Sequence, residues 1–162
     1  MKLMTFILLA GLSFGLHAAG KTAYISSKVL LEKSPQAIAA NSELQKQFGD
    51  REQSLRTLAQ SIQEMEKTYQ NDAAIMSADQ KKKAEDNIIQ NKRRFQFEQQ
   101  SLKEDLQAKQ RELLQQVQVS IKSVIQTYGK QQGYDFIFTD ASIAYASDAV
   151  NITDAILQEL KK

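Results

Sequence analysis

The chain has 162 residues, a formal net charge of +2, 42% hydrophobic residues, one proline, one histidine and no cysteine or tryptophan. Without cysteine there are no disulfides, thiolate metal sites or thiol nucleophiles. The single histidine, His17, lies in a segment expected to be removed, so the remainder lacks the commonest general base and metal ligands. The length fits one domain, but residues 36–128 hold no proline and one glycine, Gly49, too little punctuation for a chain that turns often, and that points to long helix.

Residues 1–20 read as a secretory leader. Lys2 precedes an apolar run at 3–16, and the small residues Ala18, Ala19 and Gly20 follow. The run is too short for a bilayer span of roughly 20 residues, and the order of basic, apolar and small residues is that of a cleaved signal peptide. Cleavage is expected near 18–20, leaving an exported chain whose formal charge falls from +2 to about +1 with the loss of Lys2.

The next residues alternate as a short strand near 22–26. A short helix follows over 28–33. Ser34-Pro35 then supplies an N-cap and a first-turn proline, a strong helix start. From there Phe48, Leu55, Ile62, Tyr69 and Met76 recur in steps of seven, with Leu44, Leu58 and Met65 on the companion seam position. Arg51 and Asp72 interrupt this heptad, which is otherwise a coiled-coil seam. Ser77 with Gln80 makes a capping box for a second helix, so a turn of about three residues is expected near 77–79. The second helix runs to about Tyr128, marked by Ile88, Phe95, Leu102, Leu106, Leu113, Val117, Ile121 and Val124, and Gly129 and Gly133 are expected to end it. The two helices should be roughly 60 and 75 Å long and antiparallel. Strands follow near 134–139 and 143–147, joined as a hairpin through 139–142. A last helix lies over about 152–161, capped by Asn151 or Thr153.

The expected fold is therefore mainly α with a small β-core (α+β). A helical hairpin arm, 36–128, projects from a body made of 21–35 and 129–162. Two helices side by side bury narrow seams, and three short strands make a small sheet, so neither part has enough neighbours for an ordinary core. This shortage predicts that the body oligomerises through Tyr24, Ile25, Phe136, Phe138, Ile143 and Tyr145.

No sequence feature points to catalysis. There is no P-loop, G-x-S-x-G, H-E-x-x-H, EF-hand loop or G-x-G-x-x-G, so the reading is not an enzyme, with no cofactor and no metal, and any action on another chain would be independent of ATP. Two features of the arm suggest binding instead. Lys81, Lys82, Lys83, Lys92, Arg93 and Arg94 face only Glu85 and Asp86 between residues 81 and 94, a candidate surface for anionic partners. The alternative is a solvated helix face with intrahelical pairs Lys81–Glu85 and Lys82–Asp86. Phe97 lies about 200° around the helix from Phe95 and cannot share its face. Ile89 beside Ile88 raises the same point, and Met65 and Met76 adapt to varied apolar surfaces. With no recognition motif, nucleic acid is not expected as a partner.

The residues resemble one family, the Skp/OmpH-like periplasmic chaperones. The likeness rests on Ala23-Tyr24-Ile25, Lys28-Val29-Leu30 and Ser34-Pro35. It continues through Gln-, Lys- and Glu-rich helices to Tyr134-Asp135-Phe136-Ile137-Phe138, Asp140-Ala141, Ala144-Tyr145 and Ile152-Thr153-Asp154. The resemblance implies a homotrimer in the periplasm, with a β-core built by three chains and three hairpins around a cavity that holds unfolded outer-membrane proteins. It also raises lipopolysaccharide or an anionic membrane surface as a partner, with no residue carried over for either. One departure is charge, since the best-known members are strongly basic and this chain is nearly neutral. Another is Asn151, where an Asp is common. The competing reading is a non-catalytic coiled-coil scaffold or spacer of the cell envelope.

Overall fold

A computed structural model describes residues 20–162, so the expected leader lies almost wholly outside the described residues. The element order is β1 (Thr22–Ile25), α1 (Ser27–Lys33), α2 (Pro35–Asp72), α3 (Ala78–Gln132), β2 (Phe136–Thr139) and α4 (Thr153–Glu159), with 3-10 turns at Asp140–Ser142 and Asp148–Val150. The class is the expected one, long helices with a small sheet. The hairpin α2–α3 carries most of the chain, and β1, α1, β2 and α4 gather at its base.

Local chemistry sets the helix starts. Ser34 Oγ accepts from the Ala37 N–H ahead of Pro35. Ser77 Oγ accepts from the Gln80 N–H while Gln80 Oε1 accepts from the Ser77 N–H, a complete capping box. At 38 and 55 residues, α2 and α3 span about 57 and 82 Å.

Three boundaries differ from the sequence expectation. The connection occupies residues 73–77, and α2 stops at Asp72. Met76 continues the heptad in sequence but lies in this turn, where the Met76 N–H still bonds back to the Asp72 carbonyl. Gly129 does not end α3. The helix passes through it to Gln132, and Gly133, at φ 68°, makes the left-handed cap. Gly129 serves close packing instead, since a Cβ there would stand 3.1 Å from Ile137 Cδ1.

The sheet differs as well. β2 pairs with β1 in parallel, Thr22 opposite Phe136 and Ile25 opposite Thr139. Residues 143–147 form no strand, and the expected hairpin is absent. The reason lies in where their flanks are held. Asp140 turns into the N-terminus of α1, and the other edge of β1 is met by Asn151 through a single bridge to Tyr24, with the Ile152 N–H bonded to the Tyr24 carbonyl. The intervening segment spans these anchors without reaching a free strand edge.

Apolar packing falls into two clusters. One joins body to arm base through Ile25, Leu30, Ala37, Val117, Ile121, Ile156 and Leu160. The other is a short arm cluster of Phe48, Leu55 and Leu102, flanked by Leu44, Phe95 and Leu106. Ile25, a candidate for oligomer contact, is buried in the first cluster. It faces inward because strand alternation puts Ala23 and Ile25 on one face and Thr22 and Tyr24 on the other.

Candidate functional site: the arm and the open sheet face

The body presents an uncovered aromatic face. Phe136 and Phe138 alternate with Ile137 along β2, and because Ile137 turns toward α3, both phenyl rings turn outward and stack at 6.1 Å. Phe136 is 62% exposed, and half-buried Tyr24 stands opposite Phe138 in the register. Tyr145 is 85% exposed on the strandless segment, and Ile143 is half-buried. Large aromatic side chains left in water at the edge of a two-stranded sheet make this face a candidate interaction surface.

Asp140 ties this body together. Its carboxylate accepts from the Ser26 hydroxyl at 2.9 Å, the Ser27 N–H at 2.6 Å and the Lys28 N–H at 3.3 Å. Partial burial pushes its pKa up, but these donors outweigh burial and bring it down to about 2. Asn151 does similar work at α4, its Oδ1 accepting from the Thr153 N–H, while Thr153 Oγ1 accepts from the Ser26 N–H. Lys21 lies over the Tyr134 ring, which stacks on Tyr128 and fastens the start of β1 to the end of α3.

Along the arm, polar ties cross from helix to helix. The sequence interruption at Arg51 is one of them: its guanidinium meets Asp105 at 2.7 Å and Ser101 at 3.3 Å. Lys109 bridges Glu43 and Glu112, and these contacts, Glu43 first, raise its pKa. Lys92 pairs with Glu66. The Tyr69 hydroxyl donates to Glu85, which with burial and the carboxylate charge raises the phenol pKa. Glu85 is therefore engaged across the hairpin, and neither Lys81–Glu85 nor Lys82–Asp86 forms among the described residues.

The basic stretch is partly offset by acids. Folding lays α2 beside it, and over residues 61–98 the cations Lys67, Lys81, Lys82, Lys83, Lys92, Arg93 and Arg94 are matched one for one by Glu64, Glu66, Asp72, Asp79, Glu85, Asp86 and Glu98. Lys92 and Arg94 are ion-paired, Arg94 to Glu98 at 2.7 Å. The distal arm is neutral, and long-range attraction for anions is correspondingly weak.

The apolar candidates separate into different places. Met65 and Met76 share a groove of about 290 Å³ with Thr68, Ala84 and Ile88. Phe97, 75% exposed, walls a second groove of about 430 Å³ with Arg51, Ser54, Arg94 and Ser101. Ile89, 46% exposed, lines a third with Tyr69, Gln70 and Glu85. Lys81, Lys82, Lys83, Lys92 and Arg93 line none of these. Sequence reasoning missed Ile75, 86% exposed in the turn. The signal was available, since Ala73-Ala74-Ile75-Met76 is an apolar turn where polar residues are usual. It also missed a groove of about 430 Å³ at the arm base, lined by Ile25, Leu31, Ile121, Ile125 and Ile137. That groove has no sequence signal, because its walls come from four elements. Among the described residues no acidic cluster could hold a metal, and no helix is long and apolar enough to cross a membrane.

Comparison with known proteins adds a family. The family model for outer membrane protein (OmpH-like) matches residues 21–160. The chaperone protein Skp of Pectobacterium atrosepticum is 23% identical over 149 residues, covering 92% of this chain and 90% of that protein. A Skp-like protein of Pseudomonas aeruginosa is 22% identical over 142 residues, covering 88% and 84%. Among solved structures, an OmpH-like chain from Caulobacter crescentus superposes with a TM-score of 0.74 at 17% identity, covering 88% of this chain and 85% of its own. That likeness establishes the fold.

Proposed function

The chain belongs to the outer membrane protein (OmpH-like) family, whose matched members include Skp chaperones, and from that premise we propose that it is an ATP-independent holdase of the periplasm. Three copies join through the open sheet face, and their arms surround an unfolded outer-membrane protein and keep it from aggregating. The observation that carries this reading is the distribution of apolar surface. It is concentrated on the body at Phe136, Phe138 and Tyr145 and scattered along the arm as single residues beside shallow grooves. Concentrated aromatic area supports stable self-association. Scattered weak contacts suit a client that must stay dynamic, because affinity then comes from many simultaneous touches. A neutral distal arm places the weight on apolar and local polar contacts, with lipopolysaccharide or an anionic membrane surface as a lesser partner.

Light scattering on the leaderless protein should return three times the monomer mass, and a monodisperse monomer would refute the trimer. Anisotropy titrations with several labelled unfolded β-barrel chains should show binding to each, with folded proteins left unbound. The scaffold reading draws on the cross-hairpin ties, which suit a stiff spacer, and it predicts the reverse: one folded partner and no affinity for unfolded chains.

A further inference from the structure

The arm is not uniform along its length. In α2 the buried residues end at Ile62, and in α3 they begin at Leu102. Between them, over residues 63–101, no residue is buried. This is the whole distal part of the hairpin, on both helices and around the turn. Its seam consists of half-buried Met65, Tyr69, Ala84, Ile88 and Phe95. What crosses it is polar: Lys92 to Glu66, Tyr69 to Glu85, and a long Asn91 Nδ2 to Met65 Sδ contact of 3.9 Å. Nearer the body the polar ties at Arg51 and Lys109 flank buried Phe48, Leu55, Leu102 and Leu113.

We infer that the distal arm opens as a unit while the base and body stay folded, and that the opened seam is itself a contact surface for apolar segments of unfolded chains. Local opening costs least where few apolar side chains leave water, and most where a core must be broken. Exposed ion pairs contribute little and weaken further with salt, so the Lys92–Glu66 pair does not hold the unit shut and added salt favours opening slightly. Opening frees Met65, Tyr69, Ile88 and Phe95, a larger and more continuous apolar surface than Phe97 or Ile89 offers on the closed arm. The second half of the inference rests on the chaperone reading above.

Two experiments test it on the assembled, leaderless protein. In native-state hydrogen exchange, amides in 63–101 should exchange at least tenfold faster than those of α3 from 102 to 125, and added salt should widen the gap. Equal protection along the arm would overturn the inference. The chain has no cysteine, so a thiol-reactive cross-linker can staple chosen pairs. E66C/K92C closes the distal unit, and E43C/K109C staples the arm where it already has a core. Relative to its own unstapled form, the distal staple should weaken suppression of client aggregation at least twofold, while the proximal staple should not. Equal suppression by the two stapled proteins would overturn the seam as a contact surface. Failure of the wild-type and unstapled proteins to suppress aggregation would reject the chaperone reading, leaving the exchange gradient to stand or fall separately.

Discussion

The body and the distal arm are built by opposite means. In the body, Leu30 and Ile156 are fully buried, and the surrounding loops are fixed by side chains reaching far along the chain, Asp140 to Ser26 and Ser27, Thr153 to Ser26. In the distal arm nothing is buried, and three polar contacts cross between the two helices. The difference teaches where folding information resides. A hairpin of this length is cheap to specify locally through caps and a heptad, but its stability must come from elsewhere, since long helices gain most of theirs from packing.

The largest break in that comparison should come from the body. Leu30→Ala leaves a cavity in the cluster joining α1, α4 and the base of α3, and should cost about 2–5 kcal/mol. Ile88→Ala in the distal seam should cost under about 1 kcal/mol, because the site is already half open to solvent. Chemical denaturation of both variants checks the contrast, and similar costs would erase it.

Asp140→Asn should come next, costing about 1–2 kcal/mol through loss of charged hydrogen bonds. The sign of its pH dependence follows from the shift. The folded pKa, about 2, is depressed below the ordinary 3.8, so the stabilisation is complete above about pH 4 and fades as pH falls toward 2. The wild-type advantage over D140N in melting experiments should therefore shrink across that window. An advantage that stayed constant down to pH 2 would mean that the carboxylate charge contributes nothing.

The smallest effect sharpens the other end. Glu66→Gln removes the Lys92 pair, and for an exposed ion pair the change in global stability should be below about 0.5 kcal/mol. Its signature is local, with faster exchange of distal amides and no change near Leu113. Phe97→Ala should leave denaturation midpoints unchanged and lower client affinity modestly, as measured by anisotropy.

What the sequence revealed divides along the same line. The Ser34-Pro35 start, the Ser77–Gln80 box and the Phe48, Leu55, Ile62 seam were legible because each depends on residues close in the chain. The sequence pattern sets the turn too late because Met76 keeps the heptad phase after the helix has ended. Gly129 reads as a stop in the sequence because its packing partner, Ile137, meets it only once β2 folds back. The strand expected at 143–147 has the right composition, but Asp140 and Asn151 hold its flanks against α1 and β1, away from the outer edge of β2. The charge cluster of 81–94 is offset in part by acids that its own stretch of sequence does not contain, because Glu66 reaches Lys92 only with the hairpin register. Glu43, Asp105 and Glu66 carried no sequence signal of their roles for the same reason.

The most direct test of the account is suppression of aggregation. A urea-unfolded outer-membrane β-barrel protein is diluted into buffer with increasing amounts of the leaderless protein, without nucleotide, and turbidity is followed. The account predicts that scattering falls to baseline near one assembled trimer per client. Turbidity that stays unchanged at and above that ratio would contradict it.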